Sequence, residues 1–363
     1  MIYQFLKKYF LTGRMGLLAL SLAAFGVGCI QISGGGEASR VLDGGVWKSA
    51  DRGANFVQKA LVPTVGAQKK SIGAANVETF AVDPQDHNAV YIGTAENGLF
   101  YTLDGAESWM QVKALASGRV PSVAIDPKNK CVIYAASANK VLKSSDCSRT
   151  WQTVYFETRT DKIITAIAVD LKDGRSVYAG TSAGDVLMSS DYGNSWVAAN
   201  VFKSEIKKIL VAPYDSKVVY AAAKTSGVWR SADAGANWKD ISEGFKQFAG
   251  ASEYRDLALD LSAAETLVYA SKFGLLRSID GGANWNKIDL LTPPGAATIY
   301  SLAVNPKDGK EIYYGTATTF YRTTDGGKTW RTRKLPTSRA ATALMIDPEA
   351  ANVLYLGVTR LKQ

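Results

Sequence analysis

The residues best placed to do chemistry in this chain are carboxylates set in a recurring frame. Asp51, Asp104, Asp146, Asp191, Asp233, Asp280 and Asp325 each lie in a segment Ser/Thr-x-Asp-x-Gly-x-x-Trp, from SADRGANF (49–56) to TTDGGKTW (323–330). Taken singly, such a box offers an acid, a base or a metal ligand. Taken as a set, it does not. Catalysis needs one asymmetric site, and seven equivalent carboxylates cannot converge on one substrate. Calcium draws several oxygens from one loop, and each box supplies one carboxylate. Ser/Thr and Asp side chains can instead bond N–H groups of a tight turn, Gly accepts positive φ, and the closing Trp packs on a neighbouring strand. The seven Asp residues are therefore expected to be structural, and neither a metal nor a cofactor is expected. All copies keep the hydroxyl and the Asp; Ala106 and Ser148 replace the Gly, and Phe56 replaces the Trp once.

A second pattern alternates with the boxes. It runs through FAVDPQDHNAVYIGT (80–94), VAIDPKNKCVIYAAS (123–137) and five further copies, ending at LMIDPEAANVLYLGV (344–358). Each copy is an apolar run, a polar turn and a β-rich run, which reads as strand–turn–strand. A further strand such as GVWRS precedes each box and another follows it. Units of about 46 residues with four strands each are the signature of propeller blades. The fold class is thus all-β, a seven-bladed propeller of four-stranded blades. The first box lacks a preceding strand pair and the last pair lacks a box. Residues 344–358 are therefore expected to share one blade with residues 45–60, closing the ring from both chain ends. Along the inner strands large and small residues alternate: Phe80 and Val82 flank Ala81, and Leu257 and Leu259 flank Ala258. Successive side chains point to opposite faces, so neighbouring blades can interlock.

This topology puts the segments leading into the inner strands on the rim opposite the boxes. Bases outnumber acids there. Lys207, Lys208 and Arg255 are expected nearest the channel mouth with Tyr254 as a stacking surface, and Arg119, Lys162 and Arg339 extend the basic rim. Glu78, Glu253 and Asp256 lie near the same strand starts and offer the carboxylate pair that glycoside hydrolysis requires. The single histidine, His87, falls in the polar turn DPQDHN and reads as a solvated turn residue, which leaves no His-rich zinc site and no promising triad. Cys131 opens one strand and Cys147 lies in the turn ending its antiparallel neighbour, so a disulfide between them is expected.

The formal net charge is +9, and about +6 of it lies beyond the first 28 residues, which favours an anionic partner or surface. The first 28 residues hold Lys7, Lys8 and Arg14 and then an apolar run of 12 residues, short for a membrane span and suited to a signal-peptide core. Cys29 follows, and FGVGC resembles the bacterial lipoprotein signal, with Gly26 where that signal prefers Leu. Lipidation of Cys29, ordinary secretion and an uncleaved anchor all remain open at this point. Residues 29–40 read as a Gly/Ser tether and 41–363 as the propeller. The expected product is an exported bacterial monomer, periplasmic or at the cell surface, membrane-held through Cys29. An export signal argues against nucleic acid as a partner.

The boxes resemble the Asp-box, or BNR, repeat over residues 41–363, in register seven times. That resemblance is specific for fold and weak for function. Sialidases, xyloglucanases, sortilin-type receptors and the photosystem II assembly and stability factor family carry such boxes. Sialidases would imply an arginine cluster and a Tyr/Glu pair, and no leading Arg motif precedes the first box. Xyloglucanases place substrate between two tandem propellers, and the boxes here fill one. The regular boxes, basic rim and lipoprotein-like leader look most like the photosystem II assembly factors, which implies a non-catalytic platform binding a protein client. The alternative is a glycoside hydrolase or glycan-binding propeller of sialidase or xyloglucanase type.

Overall fold

The computed structural model describes residues 42–65 and 70–361. The leader, the tether and Cys29 lie outside the described residues. Seven four-stranded antiparallel sheets make the blades. Their inner strands are Val77–Asp83, Val123–Ile125, Ile164–Val169, Ile206–Val211, Tyr254–Leu259 and Ser301–Asn305 in blades 1 to 6, and Ala340–Ile346 in blade 7. Blade 7 closes the ring as its sequence pattern requires. Gly45–Ser49 pairs antiparallel with Leu354–Thr359, with Trp47 opposite Leu356. A short ribbon, Leu61–Val62 with Lys70–Ser71, precedes blade 1.

Burial falls from the second strand to the rim, and the residue types follow it. Val219–Ala223 (VYAAA), the second strand of blade 4, is buried at every position, because it faces neighbouring blades on both sides. Arg331–Lys334 (RTRK), the outer strand of blade 6, is exposed at every position, and its charges blunt the open edge. The core is divided into clusters between adjacent blades. Phe80 and Val82 pack towards Val46, Ala343 and Tyr355 of blade 7, while Ala81 on the opposite face packs towards Val123 and Ile125 of blade 2. The large-small alternation is the interlock. A fully buried Leu or Val contributes about 1.5–3 kcal/mol in such a seam. Tyrosines of the second strands add polar ties: Tyr134 donates to the Tyr192 carbonyl at 2.7 Å and Tyr178 to that of Ala234 at 3.0 Å, each reaching the next blade's box.

Candidate functional site

The boxes are satisfied internally. In all seven, the Ser/Thr hydroxyl donates to the Asp Oδ1 and accepts the N–H four residues on from itself. The Asp then accepts both the N–H and the side chain of the residue before the Trp position: Asn55, Ser108, Thr150, Ser195, Asn237, Asn284 and Thr329. That Asn/Ser/Thr position was visible in the sequence and is a missing member of the pattern. Hydrogen bonds from Thr150, Ser195 and Asn237, side chain first and then N–H, hold Asp146, Asp191 and Asp233 down at about 2. Two consecutive residues take positive φ in each turn; at Gly282 (φ +93°) a Cβ would run into Ile241. Among the described residues no group of three or more His, Cys, Asp or Glu is arranged to hold a metal ion.

One further bond ties each box to its own blade. The residue after the Asp donates its N–H to the end of the turn joining the two inner strands, as from Ala234 to the Lys217 carbonyl and from Tyr192 to that of Arg175. In blade 2 the two residues at these positions are Cys147 and Cys131, and their sulfurs are bonded. The same contacts place the inner turns and the boxes on one side of the ring.

The other side opens into a cavity of about 540 Å³ between the starts of the inner strands. Four bases line it, Arg119, Lys207, Lys208 and Arg255, with two carboxylates, Glu78 and Asp256. Arg119 places its Nε on both oxygens of Glu78, at 3.0 and 2.8 Å. Lys208 donates to Asp256 at 2.7 Å. Asp256 also accepts the N–H groups of Leu257 (2.8 Å) and Leu302 (2.9 Å) and the Tyr254 hydroxyl (3.3 Å), so one carboxylate ties blades 4, 5 and 6. Lys207 reaches Glu205 at 3.2 Å. About a third of each lysine side chain stays open to solvent.

Four expectations need correction. Arg339 is not a rim base: it is 6% exposed, and it donates to Asp43 and, through Nη1, to the Ala74 and Ala75 carbonyls and Asn76. Burial works to raise the Asp43 pKa, but hydrogen bonds from Ser338, Thr337 and Arg339 outweigh it and hold the carboxyl well below the usual range. Tyr254 is a wall of the cavity rather than a stacking platform. It is buried, it tilts against Tyr269 at 6.2 Å, and burial followed by the nearby Asp256 charge pushes its hydroxyl pKa far up. His87 is partnered, its Nδ1 lying 2.8 Å from buried Asp347 across the blade 1–blade 7 seam. Lys162 stands away from the mouth, on Asp185 at 3.1 Å.

No protein-family model matches the chain. It is 29% identical over 167 residues to a xyloglucanase of Hypocrea jecorina, an alignment covering 38% of this chain and 19% of that protein. The chain thus spans about a fifth of the length of that curated relative. Among solved structures, a GH74 xyloglucanase from Xanthomonas campestris superposes with TM-score 0.64 at 17% identity, over 78% of this chain and 51% of that one. YCF48 bound to D1 peptide superposes with TM-score 0.59 at 16% identity, over 78% of this chain and 94% of that one. The likeness is one of fold.

Within that fold the carboxylates of the mouth are already engaged. A general acid must release a proton and a nucleophile must offer a free lone pair. Glu78 carries a guanidinium nitrogen against both oxygens, and Asp256 accepts four hydrogen bonds. Glu253 does not line the cavity; it is bound to Lys272 at 2.8 Å and lies 3.9 Å from Arg255.

Proposed function

We propose that this propeller is a non-catalytic platform that captures a protein client through an anionic segment at the channel mouth. The observation that carries the reading is the set of four bases around one open cavity, with Lys207 and Lys208 each keeping about a third of its side chain open beside the carboxylate it meets. Arg119 engages Glu78 through Nε while its side chain stays 41% exposed, which leaves the guanidinium open to an incoming carboxylate. A propeller of like fold, YCF48, has been solved with a peptide, which supports capture as a use of the architecture. Export and a lipid on Cys29 would hold the platform at a membrane surface.

The test is cross-linking with mass spectrometry in the native host, comparing the wild type with the triple variant Lys207→Glu, Lys208→Glu, Arg255→Glu. Client cross-links should vanish while the thermal unfolding midpoint stays within a few degrees. Undiminished capture by the folded variant would sink the proposal. The xyloglucanase matches favour a second reading, a glycoside hydrolase acting through Glu78 and Asp256. Turnover of xyloglucan oligosaccharides, lost in Glu78→Gln and Asp256→Asn, would establish that reading instead.

A further inference from the structure

The channel changes character along its length. On the box side it opens into a second cavity of about 440 Å³, and every residue lining it is aliphatic or proline apart from Met345; not one bears a charged or hydrogen-bonding side chain. Its rim comes from the turns between the two inner strands, at Pro84, Leu171, Leu261, Pro306 and Pro348. Proline there is turn chemistry, since its fixed φ suits the second residue of a tight turn. Leucine has no such advantage, yet Leu171 and Leu261 stand 45% and 51% exposed. A polar residue would serve those turns equally well. The rim is more apolar than the fold requires.

Five residues, Ile167, Ile209, Leu210, Leu344 and Met345, line both this cavity and the charged mouth. The strand Ile206–Val211 shows the gradient in one element: Lys207 and Lys208 at the mouth end, Leu210 and Val211 at the box end. Its length is roughly 20 Å at about 3.3 Å per residue.

The geometry points to a binding site for an aliphatic monocarboxylate, its head on Lys207, Lys208 and Arg255 and its hydrocarbon tail running towards Leu171 and Leu261. The head follows from the lysines: Lys207 and Lys208 stand at the mouth with about a third of each side chain open to solvent beside its carboxylate partner. The tail follows from the lining. A peptide threaded into this channel would carry N–H and C=O groups past side chains that cannot partner them. A hydrocarbon loses nothing there, and water in such a cavity meets no polar side chain. This site does not depend on a protein client, and the two are measured separately, capture by cross-linking and the amphiphile by titration.

Calorimetric titration of the full chain with hexanoate, octanoate and decanoate, each below its micelle concentration, and with decanol, tests the site. Each added methylene should tighten carboxylate binding by about twofold to fourfold. Decanoate should bind more tightly than decanol, and the double variant Lys207→Gln, Lys208→Gln should erase that difference. Affinity that ignores chain length would overturn the tail assignment. Equal binding of decanoate and decanol by the wild type would overturn the head assignment.

Discussion

The box side and the mouth side of this ring are built from the same seven units and yet differ in what they leave open. At each box both Asp oxygens, the hydroxyl and the following N–H are spent within the blade, in one arrangement repeated around the ring. At the mouth the inner strands diverge: Glu78 in blade 1, Lys207 and Lys208 in blade 4, Arg255 and Asp256 in blade 5, with a threonine kept in blades 3 and 7 at Thr165 and Thr342. A feature repeated at every blade cannot single out one ligand. A site with direction needs copies that diverge, and the divergence lies at the strand starts. Repetition therefore locates architecture, and its failure locates the cavity where binding is proposed.

Three changes test this division, from the largest effect to the smallest. Arg339→Ala removes the cation from Asp43 and takes one of two donors from the buried Ala75 carbonyl. Breaking such a pair from one side costs about 3–5 kcal/mol. Denaturant unfolding should show that loss; one below about 1 kcal/mol would return Arg339 to the binding rim. Ser231→Ala at one box leaves the buried Gly235 N–H without its acceptor, at a cost of about 1–3 kcal/mol. Client capture should be untouched, and capture lost at native stability would break the division. The third change is acid. Asp146, Asp191 and Asp233 are held at about 2, below their unfolded values near 4. Carboxylates depressed in the folded state stabilise it above the unfolded pKa, and that stability is lost as pH falls through the folded value. Unfolding free energy measured in steps should therefore decline from about pH 4 to about pH 2. These side chains are exposed, so the decline should be shallow; a rise over that window would contradict the box geometry.

The blade number, the strand pairing and the closure were all legible in the sequence, because each rests on local residue types recurring at fixed spacing. Phe80, Ala81 and Val82 announced the interlock by alternation alone. The mouth was legible only as a list of bases. Lys207 and Lys208 face it, but Arg339 could not be told from them, because its partners Asp43 and Asn76 are more than 260 residues away in sequence. Tyr254 looked like a free ring until Asp256 and Tyr269 were found against it. The apolar end of the channel was hidden for another reason. Pro84, Pro306 and Pro348 satisfy a turn so well that their common apolarity carried no signal without Leu171 and Leu261 beside them in space.

The closing pair of strands also sets an order in time. Trp47 meets Leu356 only after some three hundred intervening residues have been made. On a ribosome the first blade segment to emerge must wait, with Gly45–Ser49 unpaired on its inner edge, until the last strands arrive. Contacts of such sequence separation slow folding and leave an open strand edge exposed meanwhile. The ring is thus a poor candidate for stepwise completion during synthesis. Its final strands act as a latch that cannot be thrown early, and a chain truncated before Leu354 would leave Gly45–Ser49 paired on one edge only, with Val57–Lys59.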